Sequence, residues 1–331
     1  MLQAGRNGGN AAPLRLGALF LGAAILALPW FATGYLVHFA TLLFMFMVLA
    51  QSWNLIGGLA GYPSFGNVVF FGIGAYTTGL LMARGGVSFA PSLLAGALLG
   101  TAFAAGVGLP VLRLHGHYFA VATYATAEAM REIVNNLTGL TGGGMGLNLP
   151  LMSGSERAVG VYFYYLMLGV LVAAFAVNAG ILRTRLGYGL LAIREDEDAA
   201  LVSGIDATRY KVIAFGLSAS LAALAGGIYA YWITYIDPGN AFDVSISVTM
   251  LVMVLLGGSG TLWGPPLGAL VLMGLTEFLW SRFLEVHAAL LGAVIILVVL
   301  FLPDGLLAMI GQGRRGLSPA SLLQNLRRYS V

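Results

Sequence analysis

The sequence predicts an all-α integral membrane protein, a polytopic helical bundle of about ten transmembrane segments, some of them short or broken. Three observations carry that reading. Of 331 residues, 59% are apolar and only 9% charged, and the mean hydropathy is +0.89. Ordinary globular domains are roughly 45–50% apolar and about 25% charged, so these few charges cannot cover a soluble core. The apolar residues gather in blocks close to the roughly 20 residues a helix needs to cross a hydrocarbon layer of about 30 Å. Glycine is abundant, at 47 residues, as expected where helices associate by close backbone approach. A soluble enzyme, a disordered chain and a nucleic-acid binder are excluded. With no cysteine, disulfides and thiolate chemistry are excluded too.

The blocks run over residues 16–32, 35–56, 68–82, 92–112, 117–137, 161–182, 209–236, 245–257, 264–283 and 288–310. The first follows Arg6 and Arg15 and runs almost directly into the second. It reads as a retained start-transfer helix rather than a cleaved leader. The third and eighth are short and flanked by glycine. They are expected as broken or re-entrant segments, tolerated where backbone is buried in protein or lines a cavity. The small-residue runs Gly96–Gly100 and Ala222–Gly227 are expected at close helix contacts.

Orientation follows from the basic residues. With a cytoplasmic N-terminus and one crossing per block, the cytoplasmic side holds Arg6, Arg15, Arg113, Arg183, Arg185, Arg194, Arg209, Lys211, Arg314, Arg315, Arg327 and Arg328. The other side holds Arg84, Arg131, Arg157 and Arg282. That bias puts both termini inside. Residues 1–15 and 311–331 are then cytoplasmic ends, 16–310 the membrane domain, and 183–208 a long cytoplasmic loop.

The chemistry the chain lacks is informative. No G-x-x-x-x-G-K-[ST] loop is present, and no lysine follows the glycine-rich run 142–146. The sequence gives no reason to expect ATP hydrolysis. His38, His115, His117 and His287 lack the spacing of a helical metal site, and no nucleophile elbow appears. In the fifth block Glu128, Arg131, Glu132 and Asn135 fall on one helical stripe, with Tyr124 one turn earlier. An ionisable group at the middle of such a block marks a functional face unless it is paired. Two readings stand: a polar face lining a cavity or subunit seam, or a self-satisfying Glu128–Arg131 pair. Glu277 in the ninth block is more simply structural.

The loop 183–208 carries Glu195, Asp196, Glu197, Asp198 and Asp206. A short amphipathic helix from about 195 to 203 would place acids in its first turn, where the helix dipole favours them. Gly204 would follow its end. Ala199, Ala200 and Ser203 would form a small face that another protein could approach. The loop therefore reads as a docking element rather than a solvated linker.

Asp198-Ala199-Ala200 with Gly204 four residues on resembles the E-A-A-x-x-x-G coupling motif of ABC importer permeases, with Asp in place of Glu. The preceding run 187–197, from Gly187 through Arg194, Glu195, Asp196 and Glu197, resembles the branched-chain amino-acid permease family, specifically its M-type (LivM-like) subunit. So do Gly61-Tyr62-Pro63-Ser64-Phe65-Gly66-Asn67 with Phe70 to Tyr76, the stretch from Tyr118 to Glu128 with Leu140-Thr141-Gly142-Gly143, the run 257–265 from Gly257 to Pro265, and Pro303-Asp304-Gly305-Leu306. Each motif alone is weak; in this order on a multispanning chain they are specific. The chain departs from the family pattern at Tyr62 and Asn67, where a Gln and His pair is expected, and at Pro63, where Leu is expected.

The resemblance implies a permease subunit of an ABC importer in the inner membrane. It would form, with a second, H-type permease, the path for branched-chain or related hydrophobic amino acids. Two separate ATP-binding subunits would drive it and an external binding protein would deliver substrate. ATP would be bound by those partners and no cofactor by this chain. Coupling is expected at Arg194, Glu195, Asp196, Glu197, Asp198, Ala199, Ala200 and Gly204. The substrate path is expected along Ser64, Gly66, Asn67, Tyr76, Tyr124, Glu128, Thr141, Gly142 and Gly143. The breaks at 61–67 and 141–146 would offer free backbone N–H groups to a substrate carboxylate. The alternatives are a permease for urea or short amides and, more remotely, a secondary transporter or channel.

Overall fold

A computed structural model describes residues 22–282, 292 and 305–312. Most of the tenth block, the N-terminal segment and the C-terminal tail lie outside the described residues. The chain is helical, with helices α1 (Gly22–Phe31), α2 (Gly34–Trp53), α3 (Asn67–Ala83), α4 (Phe89–Val111), α5 (His117–Asn136), α6 (Thr138–Thr141), α7 (Glu156–Leu182), α8 (Arg185–Glu195), α9 (Glu197–Val202), α10 (Ala207–Ile233), α11 (Pro238–Ala241), α12 (Val244–Gly257), α13 (Gly264–Arg282) and α14 (Gly305–Gln312). Two residues each of β1 (Leu147–Asn148) and β2 (Tyr235–Ile236) pair antiparallel.

Five of these stretches are long and apolar enough to cross a bilayer: Gly34–Gly58, Phe89–Val111, Glu156–Leu182, Ala207–Ile233 and Pro238–Gly257. α1, as described, and the 17-residue α3 are apolar but shorter. The fifth block forms α5 as expected, but Glu128, Arg131 and Glu132 keep it polar.

Contacts sort the helix ends into two groups. At one, the proximal end, the α2 terminus meets α8 through Arg194 and Gly58, and the α4 terminus meets α10 through Leu112 and Lys211. At the other, the distal end, Arg84 donates to the Gly139 carbonyl, β1 pairs with β2, and Arg157 Nη2 donates to the Trp30 carbonyl (3.0 Å). Arg113, Arg183, Arg185, Arg194, Arg209 and Lys211 sit proximally; Arg84, Arg131, Arg157 and Arg282 sit distally.

The centre is built from α3, α4 and α10. Its packing is that of a membrane bundle, with small residues inward and large ones outward. On α4, Gly96, Ala97, Gly100 and Ala104 are buried while Leu94, Leu98 and Leu99 are exposed. A Cβ on Gly74 would overlap the Ala223 carbonyl oxygen, and one on Gly226 the Phe71 carbonyl oxygen. The small-residue runs singled out in sequence thus lie at close helix contacts, with Gly100 against the Ala223 side chain and Gly227 against the Thr78 hydroxyl.

The third block differs from expectation. α3 itself is unbroken; the irregular backbone precedes it. α2 ends in a π-helical turn, Asn54–Gly58, and residues 59–66 carry the chain from Tyr62 to a buried helix start at Asn67. In the eighth block α12 alone has 14 residues, but with α11 before it the stretch Pro238–Gly257 is long enough to cross. α10 ends at the distal β2 strand, and the chain then turns inward, with Phe242 packed on Gly72 and Ser247 Oγ accepting from Val68 N (3.0 Å). α12 runs from there to the proximal end, where Gly257 meets Gly264. A distal cavity of about 980 Å³ between α2, α7 and α10 is lined by none of the path residues expected from sequence.

Candidate functional site

The acidic segment forms two helices rather than one spanning 195–203. Asp196 leaves the helical region (φ −160°, ψ 113°) and separates α8 from α9. Its side chain caps α9, Oδ1 accepting from Ala199 N at 2.9 Å. Glu197 and Asp198 occupy the first turn, where the helix dipole favours acids. Gly204 follows at φ +85°, a left-handed conformation that glycine adopts freely.

The exposed face of α9 differs from the one expected. Ala200 is only 4% exposed and packs into the main apolar core, so it is not part of an approachable surface. Asp198, Ala199, Leu201, Val202 and Ser203 face outward, and Val202 is 92% exposed. The helix is too short for periodicity to have fixed which alanine turns inward.

Glu197 also turns inward, at 17% side-chain exposure. It meets Lys211 Nζ at 2.6 Å, on the first turns of α10. Lys211 is 2% exposed and donates as well to the Leu112 carbonyl (2.9 Å) and to the Tyr62 hydroxyl oxygen (3.0 Å). The Tyr62 O–H in turn donates to Glu197, and the Lys211 ammonium lies 4.5 Å from the centre of the Tyr62 ring. His115 Nε2 is 3.4 Å from the same carboxylate. Burial works to raise the Glu197 pKa, but hydrogen bonds from Lys211 and Tyr62 and the nearby positive charge outweigh it and hold the carboxyl below its usual range. Burial, then the Glu197 carboxylate, push the Tyr62 hydroxyl well above its usual value.

Arg194 makes a second link. Its Nη1 donates to the Gly58 carbonyl at 2.8 Å. The π turn holding Gly58 is tied to the 257–264 loop: Asn54 Oδ1 accepts from Gly260 N (2.9 Å), and Asn54 Nδ2 donates to the Thr261 carbonyl (3.1 Å).

The expected path residues fall in three places. Ser64, Gly66 and Asn67 form a buried cluster at the start of α3. Asn67 Nδ2 donates to Ser218 Oγ (2.9 Å), and Trp53 Nε1 donates to the Ser64 carbonyl (2.7 Å). At the break 61–67 several backbone donors already have partners, Tyr62 N among them, on the Ile56 carbonyl (3.1 Å). Phe65 N donates to Thr123 Oγ1 (3.1 Å), Gly66 N to Ser64 Oγ (3.3 Å) and Val68 N to Ser247 Oγ. Buried backbone donors require partners, and hydroxyls supply these three, while the N–H groups of Gly61, Ser64 and Asn67 have none among the described residues. Tyr76 lies deeper, stacked on Phe242. Thr141, Gly142 and Gly143 close a distal turn in which Thr141 Oγ1 donates to the Val134 carbonyl (2.6 Å) and accepts from Gly143 N (3.1 Å).

Tyr124 and Glu128 lie along the open side of α5. Its buried residues are Phe119, Thr123, Ala127 and Val134, while Tyr118, Val121, Tyr124 and Ile133 are exposed. The Glu128–Arg131 pair is present at 2.6 Å, and both partners are partly exposed. Thr123 joins this helix to the Ser64–Asn67 cluster, and Asn135 joins it to the glycine turn, where its carbonyl would meet a Cβ on Gly143. Apart from Tyr76, the expected path residues therefore flank α5.

A family of permease components of the branched-chain amino acid transport system matches residues 35–299. The chain belongs to that family. It is 32% identical over 322 residues to the high-affinity branched-chain amino acid transport system permease protein LivM of Salmonella typhimurium, which covers 88% of this chain and 75% of the relative. The LivM of Escherichia coli strain K12 is equally similar. The permease protein LivH of the same strain is 23% identical over 282 residues, covering 79% of this chain and 91% of the relative. No solved structure matches. The protein is thus an integral, multi-pass permease component.

Sequence reasoning missed how the permease's acidic segment is held. Lys211, the sole lysine, had been only one more basic residue at a membrane boundary. Its position in the first turns of an apolar helix was the available signal, because an ammonium there needs a partner.

Proposed function

We propose that this chain is the M-type permease subunit of an ABC importer in the inner membrane. It crosses about ten times with both termini inside, and pairs with an H-type permease to carry branched-chain amino acids. Two ATP-binding subunits drive it from the cytoplasm and bind the ATP; an external binding protein delivers substrate. One observation carries the coupling part of the reading. α9 is anchored inward through Glu197 and Arg194 flanks it, while its other face leaves Val202 projecting from the surface. An apolar knob beside Asp198 on a fixed helix suits insertion into a groove of a partner.

The work cycle follows. Closure of the ATPase pair displaces α9. Arg194 and Glu197 carry that displacement to the π turn of α2 and to the start of α10. Permease states must differ in their contacts with the ATPases for such closure to shift them. Substrate moves along the open face of α5 and the facing permease, where a substrate ammonium takes the place of Arg131 beside Glu128 and Tyr124 supplies an amphipathic wall. A branched-chain amino acid needs only those few polar contacts on an apolar route.

The test is uptake by the complete complex in proteoliposomes, with labelled leucine, urea and acetamide compared side by side. Leucine uptake requiring ATP and lost in Val202→Asp is the expected result. Uptake of urea or acetamide in preference to leucine would overturn the substrate assignment.

A further inference from the structure

We propose that Lys211 is a positioning residue of the transport cycle, whose buried ammonium makes the coupling helix, the α2–α3 connection and the α4–α5 connection move as one body. This rests on the docking role of α9 and extends it to how the displacement travels. Four segments converge on one charge: Glu197 from α9, Tyr62 from the α2–α3 connection, the Leu112 carbonyl from the end of α4, and Lys211 itself from α10. The three acceptors, at 2.6, 3.0 and 2.9 Å, match the three protons of an ammonium. His115, three residues after Leu112, lies 3.4 Å from the far oxygen of Glu197.

Pulling α9 alone away from this knot would leave a buried charge without its counter-ion, which is strongly unfavourable. Moving the knot as a unit breaks none of those bonds. The onward connection is also in place. Two residues past Tyr62, the Ser64 carbonyl holds Trp53 of α2, and Phe65 N holds Thr123 of α5. Thr123 is adjacent to Tyr124 on the proposed path face. A displacement at α9 therefore reaches α5 through Lys211, Tyr62 and Phe65, without passing through solvent-exposed side chains alone.

The experiment uses the complete complex with its binding protein in proteoliposomes and reads leucine taken up per ATP hydrolysed. Lys211→Met is expected to keep the ATPase pair bound on purification while that ratio falls roughly five- to a hundredfold. Tyr62→Phe, which keeps the ring and removes the hydroxyl, is expected to fall in the same direction by less. A residue that merely holds the fold would lower the yield of assembled complex and leave the ratio alone. A parental ratio in both variants overturns the proposal. Should Lys211→Met fail to assemble, Glu197→Gln and Tyr62→Phe decide by the same ratio. Val202→Asp separates this from the docking reading: an ATPase pair that stays bound and coupled in that variant defeats the docking role itself.

Discussion

The proximal knot and the open face of α5 handle charge in opposite ways. Around Lys211, charged and polar groups from distant parts of the chain satisfy one another in a nearly closed pocket. Along α5, Glu128 pairs with Arg131 one turn away on the same helix, and the apolar residues Val121, Tyr124 and Ile133 are exposed among the described residues. The first arrangement is complete within this chain and fixes geometry. The second is neutralised within one helix and leaves an apolar face exposed among the described residues, the face proposed to meet the second permease. Charge that links elements constrains how they move; charge that links one turn of a helix leaves the element free to bind something else.

Breaking the knot should have the largest effect. Glu197→Leu removes the counter-ion of a buried ammonium, which costs about 3–5 kcal/mol, read as a lower thermal midpoint of the purified subunit in detergent. Next comes the cap: Asp196→Ala should cost about 1 kcal/mol, seen as faster hydrogen exchange over residues 197–203. On α5, Glu128→Gln should change stability by less than about 1 kcal/mol, since an exposed pair contributes little, yet alter leucine uptake with the ATPases still bound. An equally large stability loss there would erase the contrast. The smallest expected effect is that of pH near neutrality. The Glu197 pKa is depressed below its ordinary value, 4.5. Its stabilising contribution is therefore complete above that value and is lost only as pH falls through the depressed one. The thermal midpoint should stay flat around neutral pH and drop in acid, and Glu197→Gln should lessen that drop.

Much of the bundle was legible in the sequence because its signals are local. Apolar blocks matched helices within a few residues, as with 209–236 against Ala207–Ile233. The small-residue runs announced the α3–α4–α10 contacts because glycine has few other reasons to recur in a membrane helix. The capping glycine at 204 was legible from its place alone. What sequence could not give depended on distance or on single side chains. In a run of four acids, nothing local says that Asp196 caps while Glu197 turns inward. The meeting of Tyr62, Leu112 and Lys211 is a property of the tertiary fold. At the glycine-rich break 61–67 the sequence does not say which donors are taken, because Thr123 and Ser247, whose hydroxyls accept from Phe65 N and Val68 N, lie far along the chain.

The contacts at Gly74, Gly226 and Gly268 bring main chain onto main chain. Such seams owe little to the surrounding fluid. Outward leucines such as Leu94 and Leu98 could be exchanged for amides to suit another medium, and the interior would not register the change. A single added methyl group at Gly74 would prise two helices apart from within.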